Sequence, residues 1–304
     1  MITIKGWDAK LPGPCALAMG KFESIHMGHR ALIDEMTGRA KEAGLPSVLM
    51  VFEPHPYRVL HDSGYKPLFS SNERAHLVEA LGVDYLLEYP FDLKLSSLSA
   101  EGFCRQLYEW LQARIIVIGE KYRFGFKRGG NVDTLRHVGE KYKASVHEVA
   151  PKQMDKASKI STSTIRGLLS ENKLPQAESL LGYPFFIMGK VTPGRKLGRT
   201  IEFPTINLYP PEEKFLLADG VYATGTIVDG RQYKGITNIG LRPTVEGANA
   251  PRSVETYLLD FEGGELYGKN IKTEFLDFIR PEQRFESLEA LKAQIARDCK
   301  RVGH

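Results

Sequence analysis

The sequence predicts two domains, a parallel α/β sheet domain followed by an antiparallel β-barrel that a C-terminal helix closes. Three observations carry this. Residues 1–184 alternate short apolar runs with helical periodicity, the βαβα order of a parallel sheet with helices on both faces. Around Leu181–Phe186 helical periodicity gives way to short alternating strands with turn residues between them. The chain ends in a stripe of Leu288, Leu291, Ile295 and Cys299 at helical spacing.

The elements follow in order. Cys15–Met19 is an apolar run that stops at Gly20, and Arg30–Ala43 places Leu32, Ile33, Met36 and Ala40 on one helical face. Ser47–Phe52 is a second apolar run, broken by Glu53-Pro54-His55-Pro56. Glu73–Leu81 reads as helix, Val83–Leu87 as strand, Ala100–Ala113 as helix, Ile115–Ile118 as a buried strand ending at Gly119, and Ala144–Val149 as a further strand. In residues 185–304, strands are expected over Gly220–Val228, Gln232–Ile239, Ser253–Phe261 and Ile271–Ile279. Asp229-Gly230 and Gly263-Gly264 mark tight turns, the first a strong hairpin signal, and the closing helix starts near Ser287.

With 304 residues there is enough chain for a core in each half. Apolar residues at 42% and charged residues at 26% are ordinary for a globular protein. The net charge of +4 comes with no basic block, which suits anionic small molecules and argues against nucleic acid. Cys15, Cys104 and Cys299 are scattered, with no CxxC pair and no zinc-ligand spacing, which points to a reducing compartment. The N-terminus lacks an apolar signal core and no long apolar run suits a membrane span, so a cytoplasmic protein is expected, with no membrane partner.

The segment Gly20–His29, GKFESIHMGH, follows a strand and opens a helix. A helix start attracts phosphate through unpaired N–H groups and the dipole. His26 and His29 can flank a phosphate chain, and Gly20 and Gly28 let backbone come close, although a surface loop with incidental histidines has the same letters. Ile160–Arg166, ISTSTIR, sets Ser161, Thr162, Ser163 and Arg166 at a helix start, as a phosphate site or an ordinary cap cluster. His55 lies between two stiffening prolines, and Phe124 after Arg123 serves either a stacking face or the core.

HxGH after a strand resembles the nucleotidyltransferase superfamily. With Phe52-Glu53-Pro54-His55-Pro56, with Gly119–Gly125 (GEKYRFG) and with ISTSTIR in order, residues 1–184 resemble bacterial FAD synthetases, a Rossmann-like fold. The resemblance implies nucleotide binding at Gly20, Phe22, Gly28, Ser161, Thr162, Ser163 and Arg166, with His26 and His29 acting in adenylyl transfer. It implies flavin binding at Phe52, Pro54, His55, Arg123 and Phe124. Glu23 and Ser24 stand where the family usually has Asp-Gly, and Lys121 where it often has an acidic or amide residue. Ser24 would be awkward if its backbone needs a positive φ.

In the second half, GKVTPGRKLGRTIEFPTINL sets Gly189, Gly194 and Gly198 among Lys190, Arg195, Lys196 and Arg199, an open basic backbone for polyphosphate but not a Walker A loop. Thr205 and Asn207, two apart in an extended segment, face one way and can ligate Mg²⁺ on ATP phosphates; alone they fit a wet strand face equally. With Gly220–Ala223, Asn238-Ile239-Gly240, Arg242-Pro243-Thr244, Glu255 in VETYLLDF, Leu266-Tyr267-Gly268 and Arg280-Pro281-Glu282, residues 185–304 resemble the riboflavin kinases. That resemblance implies Glu255 as catalytic base, Thr205 and Asn207 as Mg²⁺ ligands, the glycines as the ADP cradle, and Asn238 and Arg280 at the flavin; Glu202 replaces a usual glycine.

Together the two resemblances imply a bifunctional enzyme. It takes riboflavin to FMN and FMN to FAD, with ATP as co-substrate and Mg²⁺ as cofactor, as a monomer or weak homo-oligomer. A kinase with a weakened first site and a flavin-sensing regulator are the alternatives.

Overall fold

The computed structural model describes residues 1–6, 11, 13–61, 64–151, 160–193, 203–241 and 252–303. They form two compact units, Met1–Thr162 and Ser163–His304.

The first unit runs β1 (Ile2–Lys5), β2 (Cys15–Gly20), α1 (Met27–Ala43), β3 (Ser47–Glu53), α2 (Pro56–His61), α3 (Ser71–Glu79), β4 (Tyr85–Pro90), α4 (Leu93–Ser96), α5 (Ala100–Arg105), β5 (Ala113–Gly119), α6 (Val132–Glu140) and β6 (Ser145–Val149). The strands pair in the order β1-β4-β3-β2-β5-β6, and every pairing is parallel, as the alternating pattern predicts. Residues 15–19 of β2 are at most 1% exposed, so both sheet faces are covered. Cys15, Leu17 and Met19 join a core with Phe103, Cys104, Leu107 and Tyr108. Ala16 and Ala18 face the other way, where small side chains give room beside α1, which buries Ile33, Met36 and Ala40.

Several boundaries move for identifiable reasons. The third helix starts at Ser71 because Ser70 and Glu73 form a reciprocal capping box, ahead of the expected start. The expected helix over Ala100–Ala113 is shorter. After α5 its hydrogen bonding widens into a π-turn, Gln106–Trp110, and Gln112 at φ 52° releases the chain so that Ala113 already belongs to β5.

The second unit contains α7 (Thr162–Ser170, whose first residue is the last of the first unit), α8 (Leu174–Leu181), β7 (Phe185–Lys190), β8 (Thr205–Leu208), β9 (Gly220–Val228), β10 (Arg231–Leu241), β11 (Arg252–Leu258), β12 (Asn270–Arg280) and α9 (Leu288–Gly303). The sheet is antiparallel, ordered β7-β12-β9-β10-β11-β8, and curls into a half-barrel. Its two edges meet just past β7, where Thr192 bridges to Asn207 with its N–H donating to the Asn207 carbonyl at 3.0 Å. The compact units divide ahead of α7 and α8, whereas the change in sequence character falls after them; α8 packs on β7 and β12.

Asp229 and Gly230 have φ of 49° and 80°, which an Asp-Gly pair tolerates and which joins β9 tightly to β10. The turn expected at Gly263-Gly264 is not there. After β11 the chain turns at Leu259-Asp260, with Asp260 at φ 54°, and again at Tyr267-Gly268. The apolar stripe of α9 is partly buried at Leu291, Ile295 and Cys299, and only its first residue stands out in solvent. Leu288 is 46% exposed, and the residue this helix buries is Asp298, which accepts from Arg280 Nε and Nη2 at 2.9 and 2.8 Å.

Hydroxyls line part of the half-barrel's buried face. Thr224 and Thr237 are 2.8 Å apart, Thr237 and Thr256 2.9 Å, and Thr226 and Thr273 3.2 Å, all at most 1% exposed. Each buried hydroxyl finds its partner in another, so none is left unsatisfied at the usual cost. Tyr222 packs edge-on against Phe275 and Phe278 beside them. Thr237→Val breaks the row at its centre and is expected to destabilise the second unit by about 1–3 kcal/mol, with Thr237→Ser closer to wild type. The midpoint of that unit's urea transition measures it.

Candidate active sites

In the first sheet, β3 and β4 lie on one side of β2 while β5 and β6 lie on the other, so the strand order reverses at β2. The carboxyl ends of strands on either side of such a reversal are the place where open parallel sheets bind ligands. Gly20–His29 leaves β2, the Phe52–Pro56 segment ends β3, and Gly119–Gly125 leaves β5.

The β2 loop is tightly built. The Phe22 ring packs over Gly20, where a Cβ would lie 3.0 Å from it. Phe22 and Ile25 adopt left-handed φ of 37° and 40° and are fully buried. Ser24 is not among the positive-φ residues, so serine fits where strain was expected. Its hydroxyl lies 3.0 Å from that of Thr162, the first residue of α7. Glu23 is 3% exposed and accepts from the Leu68 N–H at 2.9 Å and from the Tyr65 hydroxyl. Its carboxylate is thus held by protein donors.

His26 is the N-cap of α1, an unusual residue there, and its Nδ1 accepts from the His29 N–H at 3.2 Å. That bond requires Nδ1 unprotonated, which leaves the neutral ring's proton on Nε2. The His26 and His29 rings stack at 3.7 Å, and a Cβ on Gly28 would press the His26 ring at 3.2 Å. Burial lowers the His26 pKa to about 4; burial and the neighbouring His26 take His29 well below the ordinary value. Both are neutral at pH 7. His29 Nδ1 is buried and has no hydrogen-bond partner among the described residues. A helix start with the His26 ring N–H beside it is an arrangement that can donate to phosphate oxygens.

Of the expected flavin contacts, Phe52 is partly buried against Phe91 and Phe103, and His55 is 9% exposed with Nδ1 accepting from the Tyr57 N–H at 3.2 Å. Phe124 belongs to the core, 6% exposed and packed on Phe103, while Arg123 and Lys121 are exposed. Gly125 is required by its place: at φ 72° a Cβ would meet the Ala100 backbone at 2.8 Å. Ser161 and Thr162 are partly buried and Ser163 is exposed. Arg166, in the second unit, lies 5.2 Å over the Phe215 ring.

In the second unit, strand register assembles the site. Asn207 on β8 sits opposite Glu255 on β11, Glu255 opposite Asn238 on β10, Asn238 opposite Val221 on β9, and Val221 opposite Arg280 on β12. Directly opposed residues share a sheet face. Asn207, Glu255 and Asn238 therefore form one polar row, with Thr205 two residues from Asn207 on the same face. Asn207 is 4% exposed and Glu255 partly buried. Glu255 Oε1 accepts from Ser253 Oγ at 3.2 Å, and Asn238 Nδ2 donates to Glu282 at 2.8 Å. The Glu282 carboxylate lies over Gly240, in the space a Cβ would take. Arg280 shares the row through its backbone, but its guanidinium turns to Asp298. Gly189 is a strand residue opposite Ile271 instead of part of an open loop. Gly194, Arg195, Lys196, Gly198, Arg199, Glu202, Arg242, Pro243 and Thr244 lie outside the described residues.

Reasoning from motifs missed Ser253, Tyr65 and Asp298. Ser253 was detectable as the residue two before Glu255 on a strand. The others are contacts between segments distant in sequence and left no local mark.

Comparison with known proteins covers both units. The FAD synthetase family matches residues 8–164 and the riboflavin kinase family residues 181–304. The chain is 37% identical over 287 residues to a bifunctional riboflavin kinase/FMN adenylyltransferase of Escherichia coli K12, covering 93% of this chain and 90% of that one. Proteins of the same description from Pseudomonas fluorescens and Listeria monocytogenes are 35% and 33% identical over 285 residues, covering 93% of this chain and 90% and 89% of theirs. The crystal structure of a macrolide-efflux protein from Streptococcus pneumoniae is similar at a TM-score of 0.87 and 28% identity, covering 100% of this chain and 99% of that one. No helix among the described residues is long and apolar enough to cross a membrane.

The neutral histidines make the first unit acid-sensitive. An unfolded histidine takes up its proton near pH 6.5, whereas folded His26 does so near 4 and His29 lower still. The unfolded state therefore binds more protons in this window, and stability falls as pH drops from 6.5 toward 4. His26→Asn, which keeps a capping side chain, is expected to reduce that fall, read as the first unit's urea midpoint at pH 7 and pH 5.

Proposed function

The chain belongs to the bifunctional riboflavin kinase/FMN adenylyltransferase family, and from that premise we propose how its residues divide the two reactions. The enzyme phosphorylates riboflavin to FMN and adenylylates FMN to FAD, each time with ATP.

For the kinase reaction, the row Asn207–Glu255–Asn238 is the observation that carries the assignment. The Glu255 carboxylate accepts the proton of the riboflavin 5′-hydroxyl as that oxygen attacks the γ-phosphorus, and ADP leaves. Ser253, donating to one carboxylate oxygen, leaves the other to face substrate. Thr205 and Asn207 offer a hydroxyl and an amide oxygen beside the base, a hard-oxygen set that fits Mg²⁺ arriving with the nucleotide. Among the described residues there is no cluster of three or more acidic, histidine or cysteine ligands for a permanently held ion. When bound, the ion offsets phosphate charge. Asn238, fixed by Glu282, borders the flavin side of the row.

For adenylyl transfer, an FMN phosphate oxygen attacks the α-phosphorus of ATP and pyrophosphate leaves. No protein nucleophile takes part. The start of α1 and the His26 Nε2–H donate to phosphate oxygens, and His29 stacks behind His26 to hold its ring. Thr162 beside Ser24 brings the start of α7 to the same loop. The flavin lies along Phe52–His55. Glu23 binds no substrate in this scheme, since its oxygens serve Leu68 and Tyr65. We place the enzyme in the cytoplasm, as a monomer or weak homo-oligomer.

Incubation with flavin, ATP and Mg²⁺, followed by chromatography, separates the two sites. Glu255→Gln is expected to lower FMN formation at least about 10²-fold and spare FAD formation from supplied FMN. His29→Ala is expected to do the reverse. Loss of both activities from either change, with the protein folded, would refute the two-site division.

A further inference from the structure

Contacts in the first unit converge on residues 65–74, a stretch that carries none of the sequence motifs. From the β2 loop, the buried Glu23 carboxylate reaches the Leu68 N–H at 2.9 Å and the Tyr65 hydroxyl. From the flavin segment, the His55 ring stacks on the Tyr65 ring at 4.8 Å and 22°. The residue that begins this turn, Glu53, accepts from Arg74 Nη2 at 2.8 Å and from Ser71 Oγ at 3.3 Å. Arg74 is 4% exposed and also reaches Glu88 on β4 at 3.2 Å, while Lys5 meets Glu88 at 2.9 Å.

A carboxylate in a loop that receives polyphosphate would repel its ligand unless drawn away and neutralised. Two donors from one distant stretch do this to Glu23. On either side of Glu23-Ser24, Phe22 and Ile25 hold left-handed φ values, a conformation that persists only when the surroundings over-determine it. The same stretch holds the next loop at Glu53 and His55.

Resting on the assignment of the nucleotide to the β2 loop and the flavin to Phe52–His55, we infer that Tyr65 and Arg74 are positioning residues for adenylyl transfer. Residues 65–74 clasp the nucleotide loop and the flavin segment together and set the separation between the two substrates. In-line attack needs the FMN phosphate oxygen about 3–3.5 Å from the α-phosphorus, and a misplacement of about 1 Å costs about 10²-fold in rate. Neither substrate need bind less well alone when the clasp loosens. The loss falls on their mutual placement.

The test uses the full-length enzyme with Tyr65→Phe, which keeps the ring on His55 and removes the hydroxyl from Glu23. The expected result is a kcat for FAD formation from FMN reduced about tenfold or more, with FMN still titrating every molecule by flavin fluorescence. Separate FMN and ATP affinities stay near wild type, and riboflavin phosphorylation by the same preparation is unchanged. Wild-type kcat in Tyr65→Phe overturns the clasp. If this variant instead loses FMN-binding stoichiometry, Arg74→Lys decides, since it keeps the charge and gives up the fork between Glu53 and Glu88. A lowered kcat at full stoichiometry supports the clasp; an unchanged kcat overturns it. A wild-type enzyme that makes no FAD from FMN and ATP overturns both the clasp and the site assignment beneath it, and is distinguished by failing before any substitution is made.

Discussion

Parallel pairing in the first unit is the constraint on which its chemistry depends. Every strand ends on the same edge, so every loop that leaves a strand end is delivered to one side of the molecule. The strand order reverses at β2, the position at which open parallel sheets bind ligands. Gly20, Glu53 and Gly119, at the ends of β2, β3 and β5, come to the same edge of the sheet although their motifs are spread along the chain. A loop at such a position works only when its own residues are fixed. Hence the dense packing of a short loop: Phe22 on Gly20, His26 capping α1, His29 stacked on His26, and Glu23 anchored to Leu68 and Tyr65.

The second unit reaches the same end by register. Because side chains alternate along a strand, a slip of one residue would turn Glu255 inward and bring Thr256 outward. The buried hydroxyls guard against that slip. Thr256 meets Thr237 on the buried face, and this pairing holds β11 against β10 in the alignment that places Glu255 beside Asn238 on the other face. One face of the strands fixes the register and the other uses it.

How much of this could be read from the sequence depends on the range of the interaction. Asp229-Gly230 declares its hairpin because two consecutive left-handed residues demand such a pair. The parallel sheet and the boundary in character follow from periodicity, a local property. Three of the four motifs fall on loops at the strand ends of one sheet edge, and Thr205, Asn207 and Glu255 fall on neighbouring strands. The failures are of another kind. Gln106–Trp110 keeps helical spacing while its hydrogen bonds change, so the end of α5 is silent in the letters. The stripe on α9 obeys helical spacing and is partly buried, but the bond from Arg280 to Asp298, a contact across 18 positions, leaves no periodic mark. Glu23 stands out as a departure from the family's aspartate, but its donors lie 42 and 45 residues away. Ser24 does not hold a positive φ; the left-handed residues of this loop are Phe22 and Ile25, on either side of Glu23-Ser24.

The threonine row sets terms for how such a barrel can change over evolutionary time. An aliphatic core forgives exchanges among side chains of like volume. Thr224, Thr237 and Thr256 are joined hydroxyl to hydroxyl across three strands, so each group's hydrogen bond depends on its neighbour's. A change at any of them is felt at the other two. Exchanges at these three positions are therefore expected to depend on one another.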